Sequence, residues 1–244
     1  MNNEKNKNLH SLFYMKIAII NFPGSNRERD MSMAFESIVG VKPIEIWHQN
    51  TEMPDVDLIV IPGGFSYGDY LRSGAMAAHS PIVKEIYNRA RKGIKILGVC
   101  NGFQILTEMG LLPGILMRNA NLKFICKMIN LEINCENLKF SGDYHKGQII
   151  NIPVAHHDGN FFADDKTINE LENEGRIAFR YCGPLGEITQ EFNINGSRNN
   201  IAGIFNNEGS ILGMMPHPEN AIDDQFGGID GKGLFRSIAG NLLG

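Results

Sequence analysis

The sequence predicts an α/β protein built on an open parallel sheet with helices on both faces. Three observations carry this. Short apolar runs alternate with longer segments of helical periodicity through the first half of the chain, which is the pattern of successive β-α-β units. Two of the apolar runs end in glycine-bearing turns, Pro62-Gly63-Gly64 and Gly98-Val99-Cys100-Asn101-Gly102. Neither a repeat nor a low-complexity linker interrupts the chain, so residues 15–244 read as one domain, long enough to bury a sizeable core.

The elements follow in order. Residues 1–14 are polar and aperiodic and are expected to be disordered. The apolar run Ile17 to Ile20 is too short for a secretory signal and leads into Pro23-Gly24-Ser25-Asn26 rather than a small-residue cleavage site, so it reads as a strand over 15–22. Further strands are predicted at 44–48, 58–61 and 94–99, with helices at 26–39, about 72–92 and 101–110. The second half is richer in strands, at 123–134, 148–155, 176–181, 201–206 and 211–215, with helices over 164–174 and 232–242. In open α/β sheets, sites form at the carboxyl ends of strands, and three candidate segments lie at such ends.

The first is Gly98-Val99-Cys100-Asn101-Gly102, between an apolar strand and the helix that starts with Phe103-Gln104-Ile105-Leu106. A nucleophile on a sharp strand-to-helix turn needs neighbours without Cβ atoms, and a helix N-terminus favours a thiolate over a thiol. A buried cysteine beside two turn glycines would look the same in isolation. The second segment is Met214-Met215-Pro216-His217-Pro218-Glu219. Here His217 is a base for the thiol proton and Glu219 an orienter for the imidazole. Being two residues apart in extended chain, their side chains start on the same side, and the two prolines stiffen the loop. Nucleophile, base and orienter together make a Cys100, His217, Glu219 triad. The third segment, Leu58 to Asp69, is a buried strand running into a glycine turn. Backbone N–H groups of Gly64 or Phe65, with that of Asn101, are candidates for an oxyanion hole, although an ordinary strand-end turn uses Gly-Gly equally well.

Together these segments resemble the class I, triad-type glutamine amidotransferases. Phe22-Pro23-Gly24-Ser25-Asn26, Gly63-Gly64-Phe65-Ser66-Tyr67-Gly68-Asp69-Tyr70-Leu71-Arg72, Met117-Arg118-Asn119 with Lys123-Phe124, Asn195-Gly196-Ser197 and Ile201-Ala202-Gly203-Ile204 narrow the resemblance to the glutaminase subunits of phosphoribosylformylglycinamidine synthase, from about residue 15 to the end. The resemblance implies a flavodoxin-like class I glutaminase fold and hydrolysis of glutamine to glutamate and ammonia. The ammonia would go to a synthetase partner that makes formylglycinamidine ribonucleotide during purine biosynthesis. It further implies a small accessory subunit as second partner, ATP and Mg on the synthetase and no cofactor in this chain. Gln104, Asn119 and Phe124 are implied as contacts for substrate glutamine. Relatives begin near the equivalent of Met15, which makes Met15 a candidate native start. Where relatives usually carry a basic residue after the glutamate, this chain has Asn220, and the stretch 182–192 is longer than in the shortest relatives. The alternatives are a glutaminase serving another synthetase and a non-catalytic module on the same fold.

Composition bounds the rest. A net charge of −4 leaves no basic footprint for nucleic acid or anionic membrane, and no apolar stretch is long enough to span a bilayer. The four cysteines, 100, 126, 135 and 182, form no C-x-x-C pair and no zinc-like spacing, which points to a reducing cytoplasm and to buried thiols at 126, 135 and 182. His156-His157-Asp158 looks like a metal cluster, but adjacent strand histidines face opposite ways, so a structural or partner-facing loop and no metal is the reading. Neither a phosphate-binding P-loop nor another ATP site is visible. Asp69, Tyr70 and Arg72 read as ordering their turn or facing a partner.

Overall fold

The computed structural model describes residues 15–135, 140, 142–225 and 227–242. The expectation of disorder over 1–14 lies outside the described residues. Eleven strands form among them: β1 (Ile17–Asn21), β2 (Ile44–Trp47), β3 (Leu58–Ile61), β4 (Lys95–Val99), β5 (Ile115–Met117), β6 (Ile125–Ile133), β7 (Ile149–His156), β8 (Asn160–Phe162), β9 (Ile177–Cys182), β10 (Ile201–Phe205) and β11 (Ile211–Met214). The α-helices are α1 (Glu28–Val39), α2 (Ile82–Arg91), α3 (Asn101–Glu108), α4 (Asp165–Asn173) and α5 (Lys232–Leu242).

Nine strands make one sheet in the order β2-β1-β3-β4-β11-β10-β9-β6-β7. From β2 to β11 every pair is parallel, as the alternation predicts. From β11 to β7 every pair is antiparallel, so the predicted parallel sheet is half of a mixed one. The cause is connectivity: short links such as that between β10 and β11 can only join antiparallel neighbours, whereas parallel neighbours need a crossover. All residues of β3 and β11 are buried, so both faces of the sheet centre are covered. On one side α1 packs on α5, with Phe35 and Phe235 edge to face at 5.0 Å. α3 lies against the end of β3 so closely that a Cβ on Gly102 would run into Ile61 O.

Two elements depart from expectation. The predicted helix over 72–92 is only α2. Gly74 takes φ +84, where a Cβ would lie 2.8 Å from Ile105 N, and Ser80 is extended because the following Pro81 disfavours helical geometry there. β5 and β8, which pair antiparallel as a separate two-stranded sheet, were not expected; each has three residues, too few to show a period. α4 is capped as its sequence suggests, Asp164 Oδ1 accepting from Thr167 N–H at 2.8 Å. Cys135 and Cys182 are buried, but Cys126 is exposed, because it sits on a stretch of β6 where the sheet face is open. Among the described residues, no helix is long and apolar enough to cross a membrane.

Candidate active site

Cys100 stands in the turn between β4 and α3, with φ +51 and ψ −106. This is a sparsely populated conformation for a residue with a Cβ, and it is enforced from both sides. Cys100 N–H donates to Met214 O at 2.8 Å, while Cys100 O accepts from Phe103 and Gln104 N–H. The thiol, 5% exposed, reaches Ala155 O on β7 at 3.7 Å.

The base arrives through sheet pairing. β11 runs parallel to β4 with Met214 opposite Val99, so the chain after Met214 passes beside Cys100. There Met215 N–H donates to Ala202 O and His217 N–H to Pro153 O, tying the loop to β10 and β7. His217 Nδ1 lies 2.7 Å from Glu219 Oε1, both side chains being buried. Burial pushes the imidazole down, but the Glu219 carboxylate and the Cys100 thiolate outweigh it and hold its pKa up at about 10. The structure thus sets a buried carboxylate behind an imidazole that favours its charged form, beside the Cys100 turn.

The glycine turn is fixed by a narrow antiparallel bridge between Ser25 and Gly64. Phe65 N–H donates to Gly24 O at 2.9 Å, and Asn26 N–H is bonded to Gly63 O. Phe65 is therefore corrected as an oxyanion donor, since its N–H is already taken. Gly64 N–H points out of the bridge, and a Cβ at Gly64 would lie 2.6 Å from Gly24 O. Gly63 brings the turn against the base, since a Cβ there would come within 2.8 Å of His217 Cε1. Asn101 N–H, in the first position of α3, belongs to the N–H groups that have no acceptor within the helix. Gly64 and Asn101 thus remain candidate backbone donors for an oxyanion.

The residues carried over from the family resemblance divide. Gln104 is buried, its Oε1 accepting from Asn101 Nδ2 at 2.8 Å and its Nε2 donating to Asp158 O at 2.6 Å. Asn119 is fully buried and spends its amide on Lys123 O, His156 O and Gly159 N–H. In this structure Asn119 is a tie for the loop after β7 rather than an open contact. Phe124 is half exposed and tilted against Phe65 at 6.5 Å, which makes the two rings an apolar rim.

The structure adds a polar network that sequence reading missed. Ser73 Oγ donates to Asp158 Oδ2 at 2.8 Å, Asn101 Oδ1 accepts from Ser66 N–H at 3.1 Å, and Asn101 Nδ2 reaches Asp69 at 3.5 Å. Burial and the nearby Asp158 charge raise Asp69 to about 6, Ser73 opposing. Its parts lie far apart in the chain and have no shared spacing, so no sequence signal could have joined them. The histidine pair behaves as expected of a strand end: His156 is inside and His157 partly outside. Asn220 donates to Asp30 Oδ2 at 3.2 Å, and Asp30 takes its ion pair from Arg27 at 2.7 Å. The cation beside Asp30 is Arg27, just before α1. A cleft of about 830 Å³ runs past His217, Glu219, Ala155 and Arg27. Among the described residues no cluster of His, Cys, Asp or Glu is arranged to hold a metal.

The chain is similar to known proteins over most of its length. The family described as CobB/CobQ-like glutamine amidotransferase domain matches residues 14–228. Phosphoribosylformylglycinamidine synthase subunit PurQ of Rhizobium etli is 56% identical over 223 residues, which is 91% of this chain and 97% of that protein. The same subunit of Bradyrhizobium diazoefficiens is 53% identical over 93% of this chain and 98% of its own length. Among solved structures, PurLQS from Thermotoga maritima superposes with a TM-score of 0.81 at 40% identity, covering 92% of this chain and 97% of that one. The glutaminase domain of Trypanosoma brucei CTPS with bound acivicin shares the fold, with a TM-score of 0.57 at 14% identity over 93% of this chain and 94% of its own. This chain belongs to the CobB/CobQ-like glutamine amidotransferase family, among the PurQ subunits of phosphoribosylformylglycinamidine synthase.

Proposed function

We propose that this chain is the glutaminase of a phosphoribosylformylglycinamidine synthase, working in the cytoplasm with a synthetase subunit and a small accessory subunit. The observation that supports it most is the buried line from Glu219 through His217 to the strained Cys100 turn. Cys100 thiolate attacks the side-chain carboxamide carbon of glutamine. The oxyanion forms at Gly64 and Asn101 N–H, with the helix end behind the latter. His217, charged at the start, gives its proton to the departing nitrogen, so ammonia leaves and a γ-glutamyl thioester and neutral imidazole remain. Water then attacks the thioester, His217 takes its proton, and glutamate and the original ion pair are restored.

Gln104 in this reading fixes the pocket wall through Asn101 and the 158 carbonyl, and Phe124 with Phe65 forms its rim. The ammonia passes to the synthetase, where ATP and Mg are used. Glutamate release is the test: the chain alone, the chain with its synthetase and accessory subunits plus formylglycinamide ribonucleotide and ATP, and Cys100→Ala in both settings. Strong release in the full mixture, lost with Cys100→Ala, supports the reading. Release restored only by a different synthetase would overturn the assignment of partner, and release untouched by Cys100→Ala would overturn the nucleophile.

A further inference from the structure

His156 ends β7 as a buried side chain that the mechanism above does not use. Its tautomer follows from hydrogen-bond logic. Asn119 Nδ2 donates to two carbonyl oxygens, Lys123 O at 2.8 Å and His156 O at 3.0 Å. Asn119 Oδ1 accepts from Gly159 N–H at 3.0 Å. Carbonyls only accept and amide N–H groups only donate, so the Asn119 amide has one possible orientation. His156 Nδ1, 3.0 Å from the same Oδ1, must then be the protonated nitrogen. Burial, reinforced by the positive charge on His217, pushes the ring down to about 4, so it is neutral and Nε2 carries a lone pair.

That Nε2 is buried and has no hydrogen-bond partner, and neither has His217 Nε2. An unpaired buried acceptor is costly, and once His217 has given its proton to the departing ammonia both Nε2 atoms are acceptors without a donor. The end of β7 passes both reacting groups: Pro153 O holds His217 N–H at 2.8 Å, and Ala155 O receives the Cys100 thiol at 3.7 Å. A water molecule has the two O–H donors that these two nitrogens then lack.

We propose that His156 Nε2 is the second acceptor for the water that hydrolyses the γ-glutamyl thioester, an assignment that rests on the glutaminase reading. The water oxygen attacks the thioester carbon. One of its protons passes to His217 Nε2, which is neutral once ammonia has left. The C–S bond breaks and its electron pair stays on sulfur as thiolate. The other O–H, held by His156 Nε2, remains on the γ-carboxyl group of the product and is lost to solvent. His156 itself takes no proton. Of the two imidazoles, one is built to gain a proton and the other to refuse it, which leaves no ambiguity about the base.

The test is a partition experiment on the chain assembled with its synthetase and accessory subunits, supplied with glutamine and with hydroxylamine as a competing nucleophile. His156→Asn keeps an N–H donor near the Nδ1 position and removes the Nε2 acceptor. His156→Gln places an acceptor near Nε2 and loses the Nδ1 donor. Loss of one hydrogen bond to the water predicts a ratio of γ-glutamyl hydroxamate to glutamate raised about five- to tenfold in His156→Asn. His156→Gln stays near the wild-type ratio despite a lower melting temperature. Equal loss of both products in His156→Asn, with the ratio unchanged, overturns the proposal and leaves His156 a structural tie. A ratio raised equally in both variants overturns it too. Failure of the glutaminase reading is a separate result, seen as wild-type glutamate release that is absent or indifferent to Cys100→Ala.

Discussion

Glu219 Oε1 lies 2.7 Å from His217 Nδ1, and its other oxygen, Oε2, is buried with no hydrogen-bond partner. The carboxylate is thus committed to the imidazole. Glu219→Gln keeps the shape and removes the charge, and kcat/KM for glutamine hydrolysis should fall by roughly a hundredfold or more, because the imidazole loses both its preferred tautomer and its counter-charge. Steady-state kinetics on the assembled enzyme would check this, and a loss below threefold would contradict the geometry.

The same pair sets a pH dependence of stability. His217 has a folded pKa of about 10 against an ordinary value of 6.5, so the folded state holds a proton that the unfolded chain gives up first. The contribution is fully present below pH 6.5 and is lost as pH rises toward 10. Melting temperatures measured at pH 7 and pH 9 should therefore drop more for the wild type than for Glu219→Gln. Parallel slopes for the two proteins would remove the claim.

His156 works in the opposite direction. Its folded pKa of about 4 lies below 6.5, so the unfolded chain takes up the proton first, and stability is lost as pH falls from 6.5 through 4. His156→Asn should show a flatter decline over that range in denaturant titrations, even though it is less stable at neutral pH.

Gly64 has φ +157, and a Cβ would press on Gly24 O at 2.6 Å. Gly64→Ala should displace the N–H proposed to receive the oxyanion and lower kcat by about a hundredfold, the usual cost of losing one such donor. KM should change little. A change in KM with kcat preserved would point to a role in substrate binding instead.

Asp69 is raised to about 6 by burial and by the Asp158 charge. Its charged form is disfavoured in the fold, so stability is lost as pH rises from its ordinary value through 6. Asp69→Asn should stabilise the protein at pH 7 by on the order of 1 kcal/mol, a figure held down because the carboxyl keeps contact with solvent. Chemical denaturation at pH 7 and pH 4.5 would read it, the gain being smaller at the lower pH.

Much of this site is legible in the sequence because its parts are local. The glycines around Cys100, the prolines around His217 and the apolar runs before both are short patterns with direct steric causes. The parallel half of the sheet is legible for the same reason, since helix and strand periods alternate there. What stays hidden depends on partners far away in the chain. Phe65 looks like a donor until Gly24 O is seen to occupy its N–H. Asn119 looks like a ligand contact until His156 and Gly159 are seen to surround it. The helix predicted across 72–92 fails at Ser80-Pro81, where the proline holds Ser80 extended.

The order of strands in the sheet has a consequence for how the protein comes into being. β11, the last strand to leave the ribosome, is inserted at the middle of the sheet between β4 and β10, and the base follows directly behind it. A chain still being synthesised carries Cys100 early but lacks His217 and has an unfilled sheet centre. On the proposed assignment of base and nucleophile, nascent and truncated chains should therefore not hydrolyse glutamine, and activity should come only with completion of the fold.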